Sequence, residues 1–310
     1  MRIAAVTGGS GTVGTATVKE LLGSGWQVRA LARSETAAAA FPAAVDVVKG
    51  HLGDSSSVAQ LVAGCEVVFH IAGVNTLCVS DRTTMWDVNV EAPLAVYEAA
   101  AQASVRRMVH ISSVAAVGQR TSFYAETKWA ADERLQRAAS SSDVELALIA
   151  PSSVQGPGRT TGTGKLILDI VSGRVKFMID TAISIVDIAD CALAIRLAAD
   201  ASIGAERLIV SGFTVTTREA LELLEQMTHR ELSVRFVPAA LVRSLAYLGP
   251  LLGPIGRRVG VDLCAEMIRT MAVDHIHDGS EAARQLGLSY RTATQTFERL
   301  IGWADSREVR

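Results

Sequence analysis

The opening of the chain limits its fold more than any other segment: an apolar run at residues 3–6 ends in Thr7-Gly8-Gly9-Ser10-Gly11-Thr12-Val13-Gly14 and passes at once into helical spacing at 15–22. Gly8 and Gly11 let the backbone turn tightly and come close to a pyrophosphate, and Gly14 lets the helix pack against the strand. Thr12 and Val13 open that helix, whose free N–H groups and positive end suit an anion. A strand, a glycine turn and a helix in this order belong to a parallel sheet with crossover helices.

The first half of the chain continues the pattern. Short apolar runs at 28–32, 45–49, 67–71, 107–111 and 145–150 alternate with helical spacing at 56–62, 92–101 and 124–138, with Asp54 and Ser55 as caps. This predicts an α/β fold, a doubly wound parallel Rossmann sheet, with a smaller and mostly C-terminal lobe for the substrate. Glycines and prolines from Pro151 to Gly164 mark a loop-rich exit from the sheet. We expect the Rossmann domain at 1–157, with a helix at 185–199 and a strand at 207–210 returning to it, and the substrate lobe at 158–184 and 212–310.

Charge narrows the partners. Thirty Lys and Arg against 32 Asp and Glu leave a net charge of -2, which gives no reason to expect nucleic acid or an anionic membrane. A small-molecule substrate fits better. The apolar stretch 238–255 is interrupted by Arg243, Gly249, Pro250, Gly253 and Pro254, too often for a membrane span. Arg257 and Arg258 read as a solvated pair. Cys65, Cys78, Cys191 and Cys264 show neither C-x-x-C nor Cys/His metal spacing, so we expect reduced core thiols, no metal, and a cytoplasmic protein without an export leader.

Two features carry chemistry. The second strand run ends in Arg33, where a carboxylate would favour NAD; a guanidinium suits a 2'-phosphate, so NADP(H) is favoured over NAD(H), with Glu35 close by. Tyr124-Ala125-Glu126-Thr127-Lys128 then places a phenol and an ammonium on one helix face. A neighbouring cation stabilises phenolate and brings a tyrosine toward the range where it exchanges protons. His70 and His110 sit on predicted buried strands and read as core residues. Leu77, Cys78, Met85 and Trp86 either line a pocket or cover the core.

These segments, in this order, resemble the extended short-chain dehydrogenase/reductase family, most of all its dihydroflavonol-reductase and 3β-hydroxysteroid-dehydrogenase branch. Val88-Asn89-Val90 is similar to that family's helix-anchoring asparagine, His110-Ile111-Ser112-Ser113 to the strand end bearing its serine, and Pro151 to Gly158 to its nicotinamide-side loop. The resemblance implies that Ser113 steadies the substrate oxygen, with Ser112 second in line, that Tyr124 exchanges the proton, and that Lys128 holds the nicotinamide ribose and lowers the tyrosine pKa. It also implies dinucleotide contacts from Gly8, Gly11, Thr12, Val13, Gly14, Arg33, His51, Leu52, Ala72, Pro151 and Val154, and a homodimer paired through the helices near Ala92 and Tyr124. Departures are His51 where the family often has aspartate, a short segment between Ser113 and Tyr124, and Ala150 where arginine is frequent. The implied activity is hydride transfer between nicotinamide and a carbonyl or secondary alcohol. An epimerase or dehydratase with retained NAD is the alternative, and a non-catalytic NADP-binding sensor comes third.

Overall fold

The computed structural model describes residues 2–246 and 264–308. Strands β1 (Ile3–Thr7), β2 (Gln27–Ala32), β3 (Val45–Lys49), β4 (Val67–His70), β5 (Arg107–Ile111) and β6 (Glu145–Pro151) join a later strand, β10 (Arg207–Val210), in one parallel sheet. The order is β3-β2-β1-β4-β5-β6-β10, so chain direction across the sheet reverses between β1 and β4. Ligands of open α/β sheets bind outside the carboxyl ends of the strands at such a reversal.

Both faces are covered, as near-continuous apolar strands require. On one face lie α1 (Thr12–Gly23), through Val18 and Leu21, and α8 (Ile188–Leu197), through Cys191, Ala194 and Ile195. On the other lie α3 (Ser55–Val62), α5 (Ala92–Gln102) and α6 (Phe123–Ala139), through Leu61, Tyr97 and Leu135. Short helices α2 (Glu35–Ala39) and α4 (Arg82–Trp86) follow β2 and the loop after β4.

A third core lies beyond β6. Strands β7 (Ser153–Gln155), β9 (Ala182–Asp187) and β11 (Phe213–Thr216) form a small sheet, and β8 (Phe177–Asp180) pairs with β12 (Arg235–Pro238). Helices α7 (Gly162–Val171), α9 (Thr217–Thr228) and α13 (Ala293–Glu308) pack Ile167, Leu224 and Phe297 against these strands. The remaining helices are α10 (Ala239–Ala246), α11 (Ala265–Met271) and α12 (Ser280–Leu286). Ala282 and Leu286 of α12, expected in the second lobe, bury in the core of the large sheet instead.

Three further expectations change. Residues 185–187 are the end of β9 rather than helix: Ile185 is paired on both sides, by Ser153 and Phe213, and the helix begins only after Asp187, whose carboxylate accepts from the Ala189 N–H at 2.7 Å. Gly162 and Gly164, expected in a loop, open α7, where burial of Ile167 and Ile170 outweighs their low helix propensity. Cys78 and Cys264 are joined in a disulfide across 186 positions, while Cys65 and Cys191 are buried free thiols as expected. Among the described residues no helix is long and apolar enough to cross a membrane. The stretch 238–255 beyond Ala246, and Arg257 and Arg258, lie outside the described residues.

Candidate active site

The glycine turn sits at the reversal between β1 and β4. Gly8 has φ +69°, and a Cβ there would stand 2.5 Å from the Ala72 nitrogen, so no side chain fits between β1 and the end of β4. A Cβ on Gly14 would overlap the Gly8 carbonyl oxygen. That oxygen accepts from the Gly11 N–H at 3.0 Å, which closes the turn. Gly11 caps α1 without a side chain and the first turn holds no acidic residue, so the leading N–H groups at Thr12 and Val13 are open to a diphosphate. This cradle fits a dinucleotide. Gly158 comes over it, its Cβ position 3.4 Å from the Thr12 methyl.

The other expected cofactor residues spread around this cleft. Arg33 is exposed directly after β2 and makes no ion pair among the described residues, whereas Glu35 is held by Lys49 at 2.7 Å. His51 is exposed and Leu52 half-buried in the loop after β3, Leu52 packing on the core under α3. The Ala72 N–H reaches the Thr7 hydroxyl at 3.4 Å. Pro151 is the buried last residue of β6, paired with Val210, and Val154 is buried in β7.

Ser113 and Tyr124 meet at the carboxyl end of β5. Ser122 caps α6, accepting from the Ala125 N–H at 3.1 Å, and Glu266 of α11 takes the Phe123 N–H at 2.6 Å, so the first turn carrying Tyr124 is fixed from two sides. Burial raises the phenol pKa above its usual value, against lowering by the Ser113 hydroxyl and the Arg159 guanidinium. Lys128, expected to lower it, is buried in the core. The Lys128 ammonium turns instead to the Ile111 carbonyl at 2.6 Å and lies 3.5 Å from His110 Nε2, and burial brings its own pKa down to about 8. Ser112 is taken up by Asp132 at 2.5 Å, which leaves Ser113 facing the phenol.

The surroundings are built to hold this corner still. Asn89, in a π-helical turn at Asp87–Glu91, accepts from the Val74 N–H and donates to the Val74 carbonyl, both at 2.8 Å, and donates to Thr127 at 3.0 Å. It ties the loop after β4 to α6. His70 and His110 stack at 5.4 Å in the core, and burial drives His70 down to about 3. Both are neutral core groups, as read from the sequence. Met85 is fully buried and Trp86 stacks on Phe123 at 6.5 Å, so both cover the core and α6.

Sequence reading missed Arg159. It follows Gly156-Pro157-Gly158, inside the segment read as the nicotinamide-side loop, and an arginine in such a loop was the available signal.

A glycine turn at this point of this sheet makes the chain a dinucleotide-binding Rossmann protein. It belongs to the NAD dependent epimerase/dehydratase family, whose family model matches residues 4–207. It is 29% identical over 321 residues to sterol demethylase protein B of Methylococcus capsulatus, covering 97% of this chain and 98% of that one. To 3beta-hydroxysteroid-dehydrogenase/decarboxylase isoform 1 of Arabidopsis thaliana it is 25% identical over 284 residues, covering 79% and 63%. The crystal structure of gox2253 shares the fold at a TM-score of 0.84 with 24% identity, over 99% of this chain and 98% of that one.

Proposed function

We propose that the chain reduces a carbonyl, or oxidises the corresponding secondary alcohol, of a small and largely apolar substrate with NADP(H), using Ser113, Tyr124 and Lys128. The observation that carries this is the Ser113 hydroxyl facing the Tyr124 phenol at the carboxyl end of β5, on the same edge of the parallel sheet as the glycine turn after β1. The dinucleotide, when bound, supplies or takes the hydride at the carbonyl carbon. Ser113 donates a hydrogen bond to the substrate oxygen and Tyr124 delivers its proton there. A phenol held above its usual pKa is protonated at neutral pH, which suits it to give the proton in the reducing direction. Lys128, anchored between β5 and α6, holds the nicotinamide ribose in this reading, and Arg33 takes the 2'-phosphate.

The names of the steroid and sterol relatives support an apolar alcohol or ketone. We assign the substrate to the lobe formed around the third core, with residues 188–211 returning to the Rossmann domain after the end of β9 at Asp187. Tyr124→Phe should lower kcat for NADPH-dependent ketone reduction by about 100-fold or more, with the Kd for NADPH within about two-fold of wild type. Equal activity of the variant across ketones and aldehydes would remove Tyr124 from the chemistry. Turnover of a nucleotide sugar with no net NADPH consumption would move the chain to the epimerase reading.

A further inference from the structure

Asp132 is a carboxylate enclosed in the core, one helical turn beyond Lys128 on α6. Its Oδ2 accepts from the Ser112 hydroxyl at 2.5 Å and from Arg207 Nε at 2.6 Å. Burial raises its pKa, and the Lys128 ammonium, the Ser112 hydroxyl and the Arg207 guanidinium work against that rise. Arg207 is shared with Glu133 at 3.3 Å, so it does not use up the Asp132 charge. The other oxygen, Oδ1, makes no hydrogen bond and stands 3.8 Å from His110 Nε2, the same nitrogen that the Lys128 ammonium approaches at 3.5 Å. No more than about 7 Å therefore separates the ammonium from that oxygen, a short distance for two opposite charges in a dry core.

The other groups around the ammonium offer it no negative charge. His110 on β5 and His70 on β4 are neutral, and Tyr124 on α6 is a protonated phenol. Arg159, whose Nε is buried without a hydrogen-bond partner beside the first turn of α7, acts on Tyr124. Asp132 is the one carboxylate acting on Lys128 among the described residues. Charge decides what this lysine can hold. An ammonium has three N–H donors: the Ile111 carbonyl takes one at 2.6 Å, His110 Nε2 is in reach of a second, and the third is left for the nicotinamide ribose. A neutral amine has one donor fewer, and β5 would take both that remain. We propose that Asp132 is a positioning residue: from within the core it holds Lys128 as an ammonium with a donor to spare for the ribose, and so sets the upper pH limit of the reaction. The assignment rests on the proposed contact between Lys128 and the ribose.

The test is carbon NMR of the full chain made with lysine labelled at the ε-carbon. The chain has five lysines, and the Lys128 signal is the one lost in Lys128→Met. In the wild type it should titrate near 8. Asp132→Asn should lower that midpoint by about one pH unit or more, and the alkaline limb of kcat/KM for NADPH in ketone reduction should move down with it. Asp132→Glu, which keeps the charge, should restore both. Arg207→Gln, which removes the competing cation, should move the midpoint upward. Melting curves establish that the variants fold, and if Asp132→Asn does not, the sign of the Arg207→Gln shift decides. An unmoved midpoint in folded Asp132→Asn, or a downward or absent shift in Arg207→Gln, would overturn the role of Asp132. A moved midpoint beside an unmoved kinetic limb would overturn the pH limit by way of Lys128 and the catalytic reading, with the counter-charge intact.

Discussion

Arg33, directly after β2, carries a charge that no carboxylate among the described residues neutralises, because Lys49 has engaged Glu35. The proposed reading puts the adenosine ribose at this guanidinium, and a guanidinium prefers a phosphate to a hydroxyl. Arg33→Ser should therefore lower the ratio of kcat/KM for NADPH over NADH by about ten-fold, mainly through KM. An unchanged ratio would give the choice of cofactor to other residues. At this scale the sequence was readable where spacing decides and silent where torsions do. The four-residue step from Tyr124 to Lys128 is visible in the letters. The direction of the ammonium is set by Ile111 and His110, and the loneliness of Arg159 by α7; both depend on contacts that form only after folding.

At the scale of elements, β4 and β5 each bury a histidine. His70 is held near 3 in the fold, against its ordinary 6.5, by the loss of hydration, and His110 is lowered in the same direction. Between those pH values the unfolded chain takes up a proton that the folded chain refuses, so stability is full above pH 6.5 and falls as the pH drops toward 3. His70 alone would contribute on the order of 5 kcal/mol over that range. Urea unfolding at a series of pH values should show this slope, and His70→Asn should flatten it; parallel profiles would mean that the imidazole is hydrated in the fold. Lys128 works in the same sense in an alkaline window, stability rising with pH between about 8 and 10.5.

The elements themselves were legible wherever turn chemistry and period agreed, as in β1 to β6 with their crossover helices. They were obscured where one apolar run serves two structures. From Ile183 to Ile195 the letters show little break, yet the chain is strand to Asp187 and helix after it, and the cap at Asp187 was the only local sign. Gly162 and Gly164 misled in the opposite way, since α7 draws its stability from Ile167 and Ile170 packing on the third core.

At the scale of the molecule, the Cys78–Cys264 bridge joins the loop after β4 to the start of α11. Spacing along a sequence cannot reveal such a pair, because only the fold brings the two sulfurs together. From α11, Glu266 and Thr270 reach Phe123 and Thr121, so the bridge also steadies the turn that presents Tyr124. Cys264→Ser, or reduction by dithiothreitol, should cost about 2–4 kcal/mol in urea unfolding. No change, together with four titratable thiols in the untreated protein, would mean that these cysteines work as thiols. The bridge has one more consequence. A protease that nicks the backbone once, anywhere between the two cysteines, releases no fragment: both pieces travel as one band until a reductant is added, and the piece carrying the glycine cradle keeps hold of the piece carrying α11.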